Sequence, residues 1–191
     1  VQDLMRADLA EFPNNKAVTG PAIRSYLRGE WGVEGTGPAA FGGLNGLDLG
    51  ALAFQAIQLV NRWETFPTLD QHKPWVFVRY WQSGWVYGQF DGLHPNWLKV
   101  IHKGMPESTV NILIRTSPEV AFERRLARDG RARPERYEGK LEFLTSVSEL
   151  YDELWSNQDA VEWVVVDGDQ DLEMVKADVR RILDDRALVV D

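Results

Sequence analysis

Apolar residues recur along this chain in two rhythms. Three short runs, Trp75 to Val78, Val110 to Arg115 and Trp163 to Val166, are rich in valine, isoleucine and aromatics and too short for helices, so they predict buried strands. Helical spacing appears three times. Leu49, Leu52, Ala56, Val60 and Trp63 mark the inner face of one helix; Phe143, Val147, Leu150, Tyr151 and Leu154 mark a second; Leu172, Val175, Val179, Ile182 and Leu183 mark a third. Ser117-Pro118-Glu119, directly after the second strand, predicts a helix start: proline at the first helical position sacrifices no bond, and the carboxylate meets the positive end of the helix dipole. Gly130 and Pro134 stop that helix. Strands alternating with helices predict an α/β fold: a parallel sheet flanked by helices on both faces, with ligands beyond the carboxyl ends of the strands.

One segment has neither rhythm. Residues 32 to 50 hold seven glycines and almost no charge, and read as a long surface connection between helices, with an active-site lid as the alternative. No repeat or domain boundary interrupts the rest, and 191 residues with 44% hydrophobic content suit a single domain over 1–191.

Composition narrows the chemistry. Without cysteine there are no disulfides and no thiolate metal sites, and His72, His94 and His102 stand apart without ligand spacing, so each is expected to be a surface or structural histidine. No apolar stretch approaches the roughly 20 residues of a membrane span and no signal pattern opens the chain, so no membrane partner and a cytoplasmic location are expected. A net charge of −8 argues against nucleic acid, whose backbone needs a basic face. It does not argue against a small anion held by a few arginines.

Such arginines exist. Arg62 ends the helical pattern that begins near Leu49, and Arg79 follows a predicted buried strand, where a planar and permanently charged fork suits phosphate, a salt bridge being the alternative. Six arginines, 124, 125, 128, 131, 133 and 136, crowd the end of one helix and the loop behind it. That is a solvated charged loop, or a loop that delivers arginine to a transferring phosphoryl group. Among eight tryptophans, Trp81, Trp85 and Trp97 fall near the Arg79 region and are expected to line a pocket or an interface.

Taken in order, Phe12-Pro13, Thr19-Gly20, Ile23-Arg24, Asn61-Arg62-Trp63, Arg79-Tyr80 with Ser83 and Tyr87, Ser117-Pro118-Glu119-Val120-Ala121, Arg136-Tyr137-Glu138 and Tyr151-Asp152-Glu153-Leu154 resemble the thymidylate kinases over about residues 10 to 185. The resemblance implies a P-loop kinase fold with an arginine-rich lid at about 128–138, moving the γ-phosphoryl group of ATP, with Mg2+, onto a deoxynucleoside monophosphate such as dTMP. It implies that Arg62 and Arg79 hold the acceptor phosphate, Tyr87 lies against the sugar, and Phe12, Gln58 and Ser83 complete the substrate site. Arg79, Arg131 and Arg133 would be the catalytic arginines; Arg128, Arg136, Tyr137 and Glu138 would complete the lid. A homodimer is usual in the family.

The sequence also departs from that pattern. A phosphate loop needs wrapping glycines, a lysine and a Ser/Thr, and the one Gly-Lys pair, Gly139-Lys140, is followed by leucine and has Pro134 where the first glycine would stand. Val78 stands where the family carries an aspartate, Glu11 where an arginine precedes Phe-Pro, and Gln58 where an aromatic stacks on the base. Two readings stay open. In one, further residues carry the loop, and Val1 to Met5 form the helix that follows it; in the other, the protein is a non-catalytic homologue that binds nucleotide. The first is expected, because stripping a central strand would uncover apolar faces at a cost large beside a net stability of roughly 5 to 15 kcal/mol.

Overall fold

In the computed structural model four strands pair in parallel, two by two. Residues 7–30, 49–129, 141–156 and 162–188 are described; the expected helix at Val1 to Met5, residues 32–48 of the glycine-rich segment, and Arg131, Arg133, Arg136, Tyr137 and Glu138 lie outside them. The chain runs β1 (Asp8–Glu11), α1 (Gly20–Leu27), α2 (Leu49–Thr65), a 3-10 turn (Phe66–Thr68), β2 (Trp75–Val78), α3 (Trp81–Phe90), α4 (Pro95–Ile101), β3 (Asn111–Arg115), α5 (Pro118–Asp129), α6 (Leu141–Ser156), β4 (Trp163–Asp167) and α7 (Leu172–Asp184). β1 pairs with β2 and β3 with β4, with helices between the members of each pair.

The three strands expected from sequence are present, and α5 begins at Pro118 as its turn chemistry requires. β1 has no sequence signal, since Asp8-Leu9-Ala10-Glu11 is charged at both ends. It exists by pairing: Asp8 lies opposite Trp75 and Glu11 opposite Val78, and Phe12 N–H extends the ladder to the Val78 carbonyl at 2.9 Å. The strands are less covered than expected, with Val78 and Ile114 exposed.

Packing divides into three apolar clusters. The largest gathers α1, α2, α3, α4 and α6 around Ile23, Phe54, Trp85, Val86, Leu98 and Leu154, with Tyr26 stacked on Phe54 at 3.9 Å. A second, aromatic cluster joins Phe12 and Tyr80 to Phe66 and Phe77 beside β1 and β2. The third seals β4 with Val179, Ile182 and Leu183 of α7. Leu172, expected on that inner face, is 66% exposed at the first turn.

Two helices owe their positions to glycine. α3 contains Gly84 and Gly88, poor helix residues, yet a Cβ at Gly88 would stand 2.6 Å from Leu98 Cδ2, and one at Gly84 3.0 Å from both Gln55 Oε1 and His102 Nε2. Without side chains there, α2, α3 and α4 approach closely. Trp85, expected to line a pocket or an interface, packs into this core instead.

The face of α2 differs from its apolar pattern. Ala56, Val60 and Trp63 point outward, the last two 50% and 46% exposed, while Ala51, Phe54, Gln55, Asn61, Arg62 and Thr65 are buried. Burial of Asn61, Arg62 and Thr65 follows their hydrogen bonds: each has partners waiting on neighbouring elements, and a helix turns toward the groups that satisfy its polar side chains once these are inside.

Candidate functional site

Asn61 sets the site's first wall. Its amide oxygen accepts the Asn14 N–H at 2.7 Å, and its amide nitrogen donates to the Asn14 carbonyl at 3.1 Å and to Thr19 Oγ1 at 2.9 Å. Glu64, one turn on, accepts the Thr19 N–H at 3.0 Å and its hydroxyl. Together they clamp the 12–19 loop onto α2. Phe12 and Pro13, joined by a cis peptide bond, are thereby held at the edge of a cavity.

That cavity is lined by Phe12, Pro13, Ile23, Leu27, Phe54, Gln58, Arg62, Arg79, Ser83 and Tyr87. All six residues expected to bind substrate, Phe12, Gln58, Arg62, Arg79, Ser83 and Tyr87, therefore surround one space, although they come from the β1–α1 loop, α2, the end of β2 and α3. Ile23, Leu27 and Phe54 complete an apolar wall that sequence reasoning did not include. A concave, mostly apolar space with a few convergent polar groups is the ordinary form of a small-molecule site.

Arg62 dominates its electrostatics. The side chain is 1% exposed, and its guanidinium donates to the Tyr80 carbonyl at 3.2 Å, to Gln58 Oε1 at 3.1 Å and, through NH1, to His102 Nε2 at 3.3 Å. Every partner is neutral. No carboxylate among the described residues compensates the charge, and Nε has no partner at all. Burial pulls its pKa from the ordinary 12.5 down to about 10, a sign that the cation is poorly solvated where it sits.

Arg79 enters differently. It takes φ 59°, the left-handed region that costs a residue with a Cβ, in the step between β2 and α3. The turn brings Arg79 to the same cavity as Arg62. Just beyond, the Tyr80 ring lies against Phe77 at 4.9 Å and its hydroxyl donates to the Pro106 carbonyl at 3.1 Å, so the carbonyl that receives Arg62 is fixed from both sides.

α6 closes the far side. The Tyr151 hydroxyl meets Ser83 Oγ at 2.9 Å, and burial together with neighbouring Tyr87 pushes its pKa up to about 12. The next residue, Asp152, receives Arg115 through two hydrogen bonds of 2.8 and 2.6 Å, which holds its carboxyl below the usual range. Consecutive residues of α6 thus tie α3 and β3. Tyr151 and His102 are the groups that sequence reasoning did not assign to the site: Tyr151 carried only a motif signal and a core face, and a lone histidine carries none. Arg128, expected in the lid, is exposed near the end of α5.

Among the described residues no three acidic or histidine side chains gather where a metal ion could bind, and Val78, not an acid, precedes Arg79. These residues therefore do not themselves fit a magnesium-bound triphosphate. What they do form is a mostly apolar cavity whose wall carries two arginines, Arg62 and Arg79.

Comparison with known proteins agrees with this architecture. Residues 50–179 match the family model of thymidylate kinase. A thymidylate kinase of Schizosaccharomyces pombe is 23% identical over 180 residues, covering 91% of this chain and 75% of that protein. A solved thymidylate kinase of Candida albicans superposes with a TM-score of 0.71 at 20% identity, over 100% of this chain and 86% of its own, and so shares the fold. With more than half of its length inside the family model and its parallel strands and helices arranged as in that structure, the chain belongs to the thymidylate kinase family.

Proposed function

We propose that the cavity holds a deoxynucleoside monophosphate, most of all dTMP, as the acceptor of the γ-phosphoryl group of ATP. The observation that carries this reading is Arg62: a buried guanidinium with neutral partners only, on the wall of an apolar cavity that Arg79 also reaches. A buried cation without a counter-charge is costly, and an incoming phosphate relieves that cost while gaining charge-assisted bonds. Tyr87 and Ser83 meet the sugar, and Phe12, Phe54 and Gln58 bound the space for the base. Catalysis by these residues is positioning and charge neutralisation: Arg62 and Arg79 hold the acceptor phosphate so that its oxygen faces the donor.

ATP and Mg2+ are the donor and metal that the family implies. When bound they supply the phosphoryl group and a Lewis acid. The described residues provide acceptor binding, while Arg131 and Arg133 are the proposed donor-side arginines. The outward apolar face of α2, with Val60 and Trp63, supports self-association into a dimer. No helix among the described residues is long and apolar enough to cross a membrane, and a cytoplasmic enzyme is the corresponding proposal.

The test is direct. Purified protein is incubated with ATP, Mg2+ and dTMP, and dTDP is measured by chromatography alongside dTMP-induced thermal shifts. Turnover that Arg79→Ala abolishes is expected. A stabilising shift without any dTDP would identify a binding protein on this scaffold, and neither shift nor product would refute the proposal.

A further inference from the structure

His102 stands at the carboxyl end of α4, and its ring reaches the space between α2 and α3. Its Nδ1 lies 2.7 Å from the Leu98 carbonyl. A carbonyl oxygen only accepts, so Nδ1 carries the proton. The ring is 5% exposed, and burial first, then the nearby Arg62 charge, drive its pKa down to about 4, so it is neutral near pH 7. A neutral ring protonated at Nδ1 leaves a lone pair on Nε2. That lone pair faces Arg62 NH1 at 3.3 Å.

The surrounding packing preserves this arrangement. A Cβ at Gly84 would sit 3.0 Å from His102 Nε2 and 3.2 Å from Cε1, so the helix accepts a glycine, a poor helix former, in its interior where the ring must pass. Trp81 flanks the other side at 6.1 Å between ring centroids. Gln58 Oε1 and the Tyr80 carbonyl take NH2, and His102 takes NH1, so the three acceptors together fix both ends of the guanidinium fork.

We infer that His102 is a positioning residue for the acceptor site: its unprotonated Nε2 orients the Arg62 fork without neutralising it, which keeps the cation available to the ligand's anion. This rests on reading the cavity as the acceptor site. A carboxylate in the same place would orient Arg62 equally well and cancel the charge that attracts the anion. A histidine locked in one tautomer supplies geometry alone.

Two measurements test this. Long-range proton–nitrogen NMR correlation on the uniformly labelled wild-type protein at neutral pH reads the tautomer of His102 directly. The Nδ1–H form is expected; an Nε2–H form or a protonated ring would overturn the inference, and no variant has to fold for this result. In dTMP titrations, His102→Leu is expected to weaken binding roughly tenfold with the ATP KM unchanged, and His102→Gln, which restores an acceptor near the Nε2 position, to recover to within about threefold of wild type. Wild-type binding that a folded His102→Leu leaves intact would overturn the role of His102 alone. Wild-type protein that binds no dTMP at all would instead sink the acceptor-site reading.

Discussion

Replacing Arg62 by methionine separates what the buried guanidinium does for the fold from what it does for a ligand. The fall of its pKa from 12.5 to about 10 corresponds to about 3 kcal/mol by which the folded protein disfavours the charged form at neutral pH. Arg62→Met removes that penalty. It also orphans the buried Tyr80 carbonyl and His102 Nε2, at about 1 to 3 kcal/mol each, while the half-buried Gln58 is freer to turn toward water. The terms nearly cancel, and the ligand-free variant should lie within about 3 kcal/mol of wild type in urea denaturation. Ligand binding has no such cancellation. With dTMP at a hundredfold its Kd, wild type gains about 2.7 kcal/mol, a Tm rise of roughly 5 to 11 °C for a domain of this size. Losing a buried charge partner costs about 2 to 5 kcal/mol of affinity, and even a 30-fold weaker Kd cuts the gain to about 0.9 kcal/mol and the rise to about 2 to 3.5 °C. Differential scanning fluorimetry reads this difference. An undiminished dTMP shift in the variant would refute the anion-site argument, and a ligand-free loss above about 5 kcal/mol would show the network to be structural.

His102 makes stability depend on pH. Because its folded pKa of about 4 lies below the unfolded 6.5, the unfolded chain binds the extra proton first, and stability falls as pH drops from about 6.5 to 4, by up to about 3 kcal/mol. Urea midpoints across this window should show that slope in wild type and lose it in His102→Gln; equal slopes would contradict the buried neutral ring. Gly88→Ala places a methyl 2.6 Å from Leu98, which is fully buried, and should cost about 1 to 3 kcal/mol in chemical denaturation; a neutral result would mean α3 and α4 separate easily. Trp63→Glu changes a side chain on the exposed face of α2 and should leave the monomer fold intact while shifting sedimentation toward monomer. Unchanged sedimentation of an oligomeric wild type would remove that face from the interface.

What the linear sequence determined about this protein is what short-range physics controls. Short continuous apolar runs located β2, β3 and β4, period-3.6 spacing located α6 and α7, and Pro118 located the start of α5, because strand length, helical spacing and capping are local properties. Ordered motifs also pointed to six of the residues that line the cavity, Phe12, Gln58, Arg62, Arg79, Ser83 and Tyr87, since a family's motif order is itself a property of the chain. Other features were decided only in three dimensions. β1 has no pattern of its own and exists because β2 offers it a parallel edge. α3 carries Gly84 and Gly88, whose value lies in how closely α2 and α4 approach it. The inner face of α2 went against its apolar spacing, because Asn61 and Arg62 meet hydrogen-bond partners 40 or more residues away, and Arg62 one just 18 away in Tyr80. His102 was unreadable for the same reason: a histidine's tautomer and its partner depend on which carbonyl and which guanidinium the fold brings to its two nitrogens, and no local spacing encodes that meeting.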